Sequence, residues 1–275
     1  MFKKYGVIGI ILIVLVELNF FFEIQPFANF YFPFVWIGYI LVIDALVYKL
    51  KKNSLISNRL NTLIGMAILS IFFWWLFEVM NIGLKNWSYI GTENLGILRP
   101  LHRTIAYATV LPAFFETVEL IRSIHLFDNK HLDKHYKINK KFLHYIIGFG
   151  VVFFVLHLFL PLFAYPLVWL SFFLILDPIN YLHKQPSVIG YLRNGKLTVP
   201  LSLLLGGVVM GFFWEFWNYW AVVKWTYDVP FVGFFKIFEM PILGYLGYFP
   251  FALELFAMYW FVRSLLVKKE KMLLK

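Results

Sequence analysis

Eight runs of about twenty apolar residues follow one another along this 275-residue chain, near 6 to 24, 30 to 49, 60 to 84, 100 to 124, 141 to 160, 162 to 183, 197 to 221 and 236 to 266. The hydrocarbon core of a bilayer is about 30 Å thick and takes roughly 20 helical residues to cross. A backbone inside it must satisfy its own polar groups, which a helix does. The runs therefore predict an all-α, polytopic membrane helix bundle of about eight transmembrane helices. With 61% hydrophobic residues, 15% charged residues and a mean hydropathy of +0.74, the composition excludes a soluble globular enzyme or a disordered chain. The absence of cysteine excludes disulfides, thiolate metal sites and cysteine nucleophiles. The first run follows Lys3 and Lys4, but the stretch ELNFFFEIQPF behind it offers no small-residue cleavage site. It reads as a helix, not a signal peptide.

The net charge of +10 has a membrane explanation. Lys and Arg are retained on the cytoplasmic side of short loops. With the N-terminus inside and eight crossings, twenty of the 25 lysines and arginines fall on the cytoplasmic face, and Lys85, Arg99, Arg103, Lys224 and Lys236 on the other. This asymmetry places both termini in the cytoplasm, fits a bacterial inner membrane, and removes the reason to invoke nucleic acid.

An internal repeat is the strongest pattern. FPFVWIGYILVIDALVY (32 to 48) aligns without a gap on YPLVWLSFFLILDPINY (165 to 181), sharing Pro33/Pro166, Val35/Val168, Trp36/Trp169, Asp44/Asp177 and Tyr48/Tyr181. Further on, Glu78 and Asn81 match Glu215 and Asn218 as E-x-x-N, Trp87 and Tyr89 match Trp225 and Tyr227, and Pro112 and Glu116 match Pro250 and Glu254. Shared polar residues in register are not produced by apolar bias. The reading is a first four-helix repeat over 1–127, a cytoplasmic linker over 128–140 and a second repeat over 141–275. An even number of crossings makes the copies parallel, related by a two-fold axis along the membrane normal.

The repeat also supplies the candidate site. Trp74, Glu78 and Asn81 share one helical face, as do Gly211, Glu215 and Asn218. Carboxylates in a bilayer persist when protonated, paired or wetted, so Glu215, Glu78, Glu254 and Glu116 are candidates for acid/base chemistry, with Asn218 and Asn81 orienting the carboxyls. The alternative is interhelical hydrogen bonding. Pro112 and Pro250, one turn before Glu116 and Glu254, are read as helix breaks that open a local cavity. Glu119 has no acidic counterpart, Ala257 standing in its place. Asp44 and Asp177 are expected at helix ends, solvated or paired with Lys49 or Lys184. Trp87, Tyr89, Trp225 and Tyr227 are expected in outer loops as an aromatic belt or as a lid over the acids. Gly207 and Gly211 allow close helix packing. His131 and His135 have helical metal-ligand spacing but lie in the charged linker without a counterpart, and His157 reads as a packing residue. No metal and no cofactor are expected.

The segment FWEFWNYWAVVKWTYDVPFVGFFKIFEMPILGY (213 to 245) resembles the small integral-membrane lycopene cyclases. The matching positions are Trp214, Glu215, Asn218, Trp225, Thr226, Tyr227 and Pro241, with weaker counterparts Glu78, Asn81, Trp87, Ser88, Tyr89 and Pro100 in the first half. Where that family carries a glutamate pair after the proline, this chain has Leu243 and Gly244, and His102 and Arg103 in the first half. The resemblance implies a bundle that binds a long polyene or prenyl lipid, with Trp214, Trp225, Tyr227, Trp87 and Tyr89 as substrate-binding residues. Three readings stay open: an intramembrane enzyme of cyclase or isomerase type on an isoprenoid or carotenoid-like lipid, a proton-coupled transporter or lipid carrier, and a non-catalytic membrane scaffold.

Overall fold

A computed structural model of the chain describes residues 1–133 and 137–266. Lys134, His135 and the C-terminal lysines 268, 269, 271 and 275, which entered the charge and metal-spacing readings, lie outside the described residues. The fold is all-α, and eight helical stretches are long and apolar enough to cross a membrane: Lys4–Phe22, Ala28–Lys51, Leu60–Leu84, Thr92–Ser123, Lys140–Phe159, Pro161–Leu182, Thr198–Trp220 and Ile242–Leu266. The chain is an integral membrane protein. The elements in order are α1 (Lys4–Phe22), α2 (Tyr31–Lys51), α3 (Leu55–Asn58), α4 (Leu60–Leu84), β1 (Trp87–Ile90), α5 (Arg99–Ala108), α6 (Val110–Ser123), α7 (Lys140–Phe159), α8 (Pro161–Ala164), α9 (Val168–Leu182), α10 (Val188–Arg193), α11 (Thr198–Trp220), β2 (Lys224–Tyr227), β3 (Lys236–Ile237), β4 (Met240–Pro241) and α12 (Tyr248–Leu266).

Two compact units share these elements. The first comprises Met1–Ile124 with Val208–Tyr245, and the second His125–Gly207 with the described residues from Leu246 onward. The division does not follow the halves of the sequence, because the end of α11 and the ribbon behind it belong with the first unit.

In the first unit α1 packs on α2 and α2 on α6. Small residues set the first crossing. A Cβ on Gly9 would lie 2.7 Å from the Gly38 carbonyl oxygen, and one on Gly38 would lie 2.7 Å from the Ile13 side chain. The backbones meet this closely because neither position carries a side chain. In the second unit α9 packs on both α7 and α12, and Gly207 meets the Tyr248 carbonyl and the Ala252 methyl in the same manner.

The two prolines act differently. The ring of Pro112 would clash with the carbonyl four residues back, that of Ala108, and α5 ends at Ala108. Ser70 of α4 then enters the interrupted ladder, donating to the Tyr107 carbonyl at 2.5 Å and accepting from the Leu111 N–H at 3.0 Å. A side chain thus fills the expected opening, and the space beside it is a void of about 10 Å³ lined by Phe32, Trp36, Thr109, Val110, Ala113, Met210 and Trp214. That is room for one water or a methyl group. Pro250 breaks nothing: it stands in the first turn of α12, where a missing N–H needs no replacement.

The aspartates are not solvated helix ends. Asp44 and Asp177 are fully buried, and each caps the short helix that follows it. Asp177 accepts the N–H groups of Val188 and Ile189 at 2.7 and 2.9 Å, while Ser187 accepts from Gly190 at 3.1 Å. Asp44 accepts the Ile56 N–H and the Ser54 hydroxyl at 2.8 Å each, and the Tyr5 phenol at 2.5 Å, while Ser54 accepts from Ser57. The Val188, Ile189 and Ile56 donors are orphan N–H groups of a helix start, so each aspartate is partnered by a helix N-terminus, Asp44 also by the Ser54 and Tyr5 hydroxyls, and not by Lys49 or Lys184.

Candidate functional site

In the first unit α4 and α11 each end in E-x-x-N, and each is followed at once by a W-[ST]-Y segment. The asparagines clamp those segments. The Asn218 amide accepts the Trp225 N–H at 2.9 Å and donates to the Trp225 carbonyl at 2.8 Å. Asn81 donates to the Trp87 carbonyl at 2.8 Å and accepts the N–H groups of Asn86 and Trp87 at 2.9 and 3.3 Å. Asn81 and Asn218 are therefore strand anchors, the oxygen and one N–H of each amide being bonded to backbone.

The anchored segments are not separate outer loops. They pair as the antiparallel ribbon β1–β2, with Trp87 opposite Tyr227, Ser88 opposite Thr226 and Tyr89 opposite Trp225. Alternation along a strand sends the first and third residues of each triplet to one face. The hydroxyls of Ser88 and Thr226 meet at 3.3 Å on the exposed face, and the Trp87 and Trp225 rings are buried on the other. Each tyrosine reaches back to the glutamate of its own helix, Tyr89 to Glu78 at 2.5 Å and Tyr227 to Glu215 at 2.7 Å.

Glu78 is built as an acceptor. Its Oε1 takes the indole N–H groups of Trp74 at 3.1 Å and Trp87 at 3.2 Å in addition to the Tyr89 phenol. Burial, with the charges of Tyr107 and Glu78 behind it, holds the Tyr89 phenol well above its ordinary pKa, so it stays a donor. Glu215 is fully buried. The Trp74 and Trp214 rings lie 5.2 Å apart, Trp214 and Trp225 5.9 Å, and Trp36 and Trp214 6.2 Å. The rings join the donors of Glu78 to the lining of the small void. Indole faces of this kind attract positive charge.

A third carboxylate belongs to the same end of this unit and was missed in the sequence. Glu17 of α1 accepts the Tyr31 hydroxyl at 3.1 and 3.2 Å and the Trp217 indole N–H at 3.1 Å. Trp217 in turn packs edge-on against Trp36 at 5.0 Å. Glu17 has no partner in the repeat and no neighbour in its motif, so only the tertiary contact with α11 exposes it. One signal was available: a carboxylate within an otherwise apolar crossing.

The remaining candidates are not part of the ribbon or its hydrogen bonds. Glu116 is fully buried in the first unit, within electrostatic reach of Asp44, which is roughly 20 Å along α2 from Tyr31. Glu254 lies in the second unit, fully buried, and accepts the Phe172 N–H at 3.2 Å. His157 is buried edge-on against Phe154. Among the described residues no three His, Cys, Asp or Glu side chains are grouped to hold a metal ion.

No family model matches the chain, and neither a curated protein nor a solved structure matches it.

Proposed function

We propose that the protein is an intramembrane enzyme of cyclase or isomerase type, acting on an isoprenoid or carotenoid-like lipid at the Glu78–Glu215 ribbon. The observation that carries the reading is the mirrored pair of circuits, each running glutamate, asparagine, tryptophan and tyrosine, set among tryptophan rings. In this account Glu215, as the carboxylic acid, adds its proton to one carbon of a double bond, leaving a tertiary carbocation at the other. The rings of Trp74, Trp214 and Trp225 face that charge. Rearrangement or ring closure follows, and the Glu78 carboxylate removes a proton from a neighbouring carbon, so that the lipid changes its bonding but not its composition. The void holds no more than a methyl group, so the lipid enters by displacing the rings around it. The resemblance to lycopene cyclases supports the substrate class.

Duplication is part of the proposal. The E-to-Y, N-to-W and Asp-to-helix bonds recur at corresponding positions of the two halves, which supports two parallel four-helix repeats. The distribution of lysine and arginine supports cytoplasmic termini and a bacterial inner membrane.

The test is mass spectrometry of lipids from a host producing several isoprenoids, expressing wild type, Glu215→Gln or Glu78→Gln. The reading expects an isoprenoid enriched with all three proteins and a modified isomer with wild type alone. A second reading, proton-coupled transport, is favoured by the fully buried Glu116 beside Asp44. It expects no modified lipid and a pH-driven flux lost in Glu116→Gln.

A further inference from the structure

The connection from β2 towards α12 is built from residues that a loop in water does not favour. Between Asp228 and Ile242 it reads VPFVGFFKIFEMP, with four phenylalanines and only two charged residues in thirteen. Phe234, Phe235 and Ile237 are 52%, 80% and 46% exposed. Aqueous turns are made with glycine, proline, asparagine and aspartate. Here Phe235 and Phe238 themselves stand in the left-handed region, at φ 47° and 57°, which a bulky side chain rarely enters. The fold does not demand phenylalanine at this point. Tyr89 and Pro112 are separated by the same 23 positions as Tyr227 and Pro250, yet the first half holds Thr92, Glu93 and Asn94 where the second holds Pro230, Phe231 and Val232.

The segment turns back along the membrane helix that precedes it. β3 and β4 pair with Lys236 opposite Pro241 and Ile237 opposite Met240. The hairpin so formed lays the Phe238 ring against Phe212, Phe216 and Tyr219 of α11, at 6.0, 5.6 and 5.8 Å. Phe216 precedes Trp220, the last residue of α11, by one turn, or roughly 6 Å along the axis. Phe212 and Tyr219 are exposed on a helix that crosses the membrane, so this face of α11 belongs to lipid. The hairpin continues that face. Polar groups along it are bonded within the protein, as a lipid environment requires. The Phe235 carbonyl accepts the Ile242 N–H at 2.9 Å, the Ile237 carbonyl accepts the Tyr245 hydroxyl at 3.1 Å, and the Glu239 carboxylate is paired with Lys224 at 2.7 Å.

We propose that residues 229–241 form an interfacial hairpin whose Phe234, Phe235 and Ile237 side chains stand among phospholipid acyl chains, at the level where α11 leaves the hydrocarbon. The partner is the bilayer itself, met over a surface continuous with α11. Aromatic side chains collect at this boundary, and an apolar face set there reaches about 5 to 10 Å into the head-group and acyl region. Lys236, between Phe235 and Ile237, folds back to the Tyr227 carbonyl at 3.4 Å, the course of a lysine that keeps its ammonium out of hydrocarbon. The hairpin has this setting whether or not the ribbon is catalytic.

The absence of cysteine lets single positions be labelled. The full chain, in nanodiscs of dioleoylphosphatidylcholine, would carry a nitroxide at Phe234→Cys, Phe235→Cys or Ile237→Cys. Collision with oxygen, which partitions into lipid, would be compared with collision with a water-soluble nickel chelate. Phe72→Cys, exposed in the middle of α4, marks lipid, and Lys130→Cys, exposed outside the crossings, marks water. The three hairpin labels should be as open to oxygen as Phe72→Cys and several-fold less open to the chelate than Lys130→Cys. Chelate access equal to that at Lys130→Cys would set the hairpin in water and overturn the proposal. Exclusion of both reagents would also overturn it, since a second copy or another protein would then cover the phenylalanines. The wild-type chain supplies a readout that needs no substitution. A photoreactive group on the phospholipid acyl chain should mark the 229–241 peptide as well as α4, read by mass spectrometry, and labelling of α4 without the hairpin would overturn the proposal.

Discussion

Asn218 holds Trp225 by both of its backbone polar groups, accepting from the N–H at 2.9 Å and donating to the carbonyl at 2.8 Å. The bond joins the end of α11 to β2, and Asn218 is fully buried. Removing the amide leaves a buried donor and a buried acceptor unpaired. Asn218→Ala should therefore lower stability by about 2 to 4 kcal/mol, and Asn218→Asp, which keeps the acceptor, by less. Thermal unfolding in detergent would rank the two. An alanine variant as stable as wild type would mean that the ribbon is held by its cross-strand bonds alone.

The Asp177 carboxylate serves two N–H groups of α10, whereas Ser187 serves one. Asp177→Ala should cost roughly 2 to 4 kcal/mol and Ser187→Ala about 1 kcal/mol. Asp44→Ala and Ser54→Ala should fall in the same order. Equal losses at aspartate and serine would contradict the capping account.

Two glycines should respond with opposite signs. At Gly207 a new Cβ lies 2.6 Å from the Ala252 methyl and 2.8 Å from the Tyr248 carbonyl oxygen, so Gly207→Leu should destabilise by at least about 1 to 3 kcal/mol. At Gly65, inside α4, nothing lies within 4 Å of a new Cβ. Gly65→Ala should therefore raise stability by up to about 1 kcal/mol through helix propensity alone. Guanidinium or thermal denaturation series on the two variants would read both signs.

Much of this arrangement was legible before the structure. Apolar runs placed the eight crossings because burial in lipid demands long uninterrupted helices, and α4 matches its run of 60 to 84 at both ends. The last run, 236 to 266, was too generous: its first residues form β3, β4 and a 3₁₀ turn, and α12 starts at Tyr248. The repeat singled out Glu78, Glu215, Asn81, Asn218 and the W-x-Y segments, all of which the first unit brings together. Their roles were not legible. Whether Asn218 bonds a carboxyl or a backbone seven residues away depends on the turn between α11 and β2, which leaves no periodic trace. Ser70 and Glu17 were hidden for a related reason. Their partners Tyr107 and Trp217 are distant in the chain, and a lone polar residue in an apolar run does not name its partner.

The Tyr89 phenol offers a pH-dependent test. Burial, reinforced by Tyr107 and Glu78, raises its pKa well above the ordinary tyrosine value of about 10. The folded protein thus holds this proton more tightly than the unfolded chain. The stabilisation is complete below about pH 10 and is lost as pH rises through the folded value. The ultraviolet difference spectrum between wild type and Tyr89→Phe should show no tyrosinate from Tyr89 near pH 10.5, where a solvated phenol is mostly ionised. A tyrosinate signal there would mean that water reaches the Glu78–Tyr89 bond.

Proton transfer from Glu215 to a lipid double bond is the central claim, and solvent isotope uptake tests it most directly. Wild type and Glu215→Gln would be incubated in heavy water with the isoprenoid that co-purifies with them, and the lipid analysed by mass spectrometry. The account predicts a product carrying one solvent deuterium with wild type, and unlabelled, unchanged lipid with Glu215→Gln. A product formed without deuterium, or the same labelled product from Glu215→Gln, would contradict it.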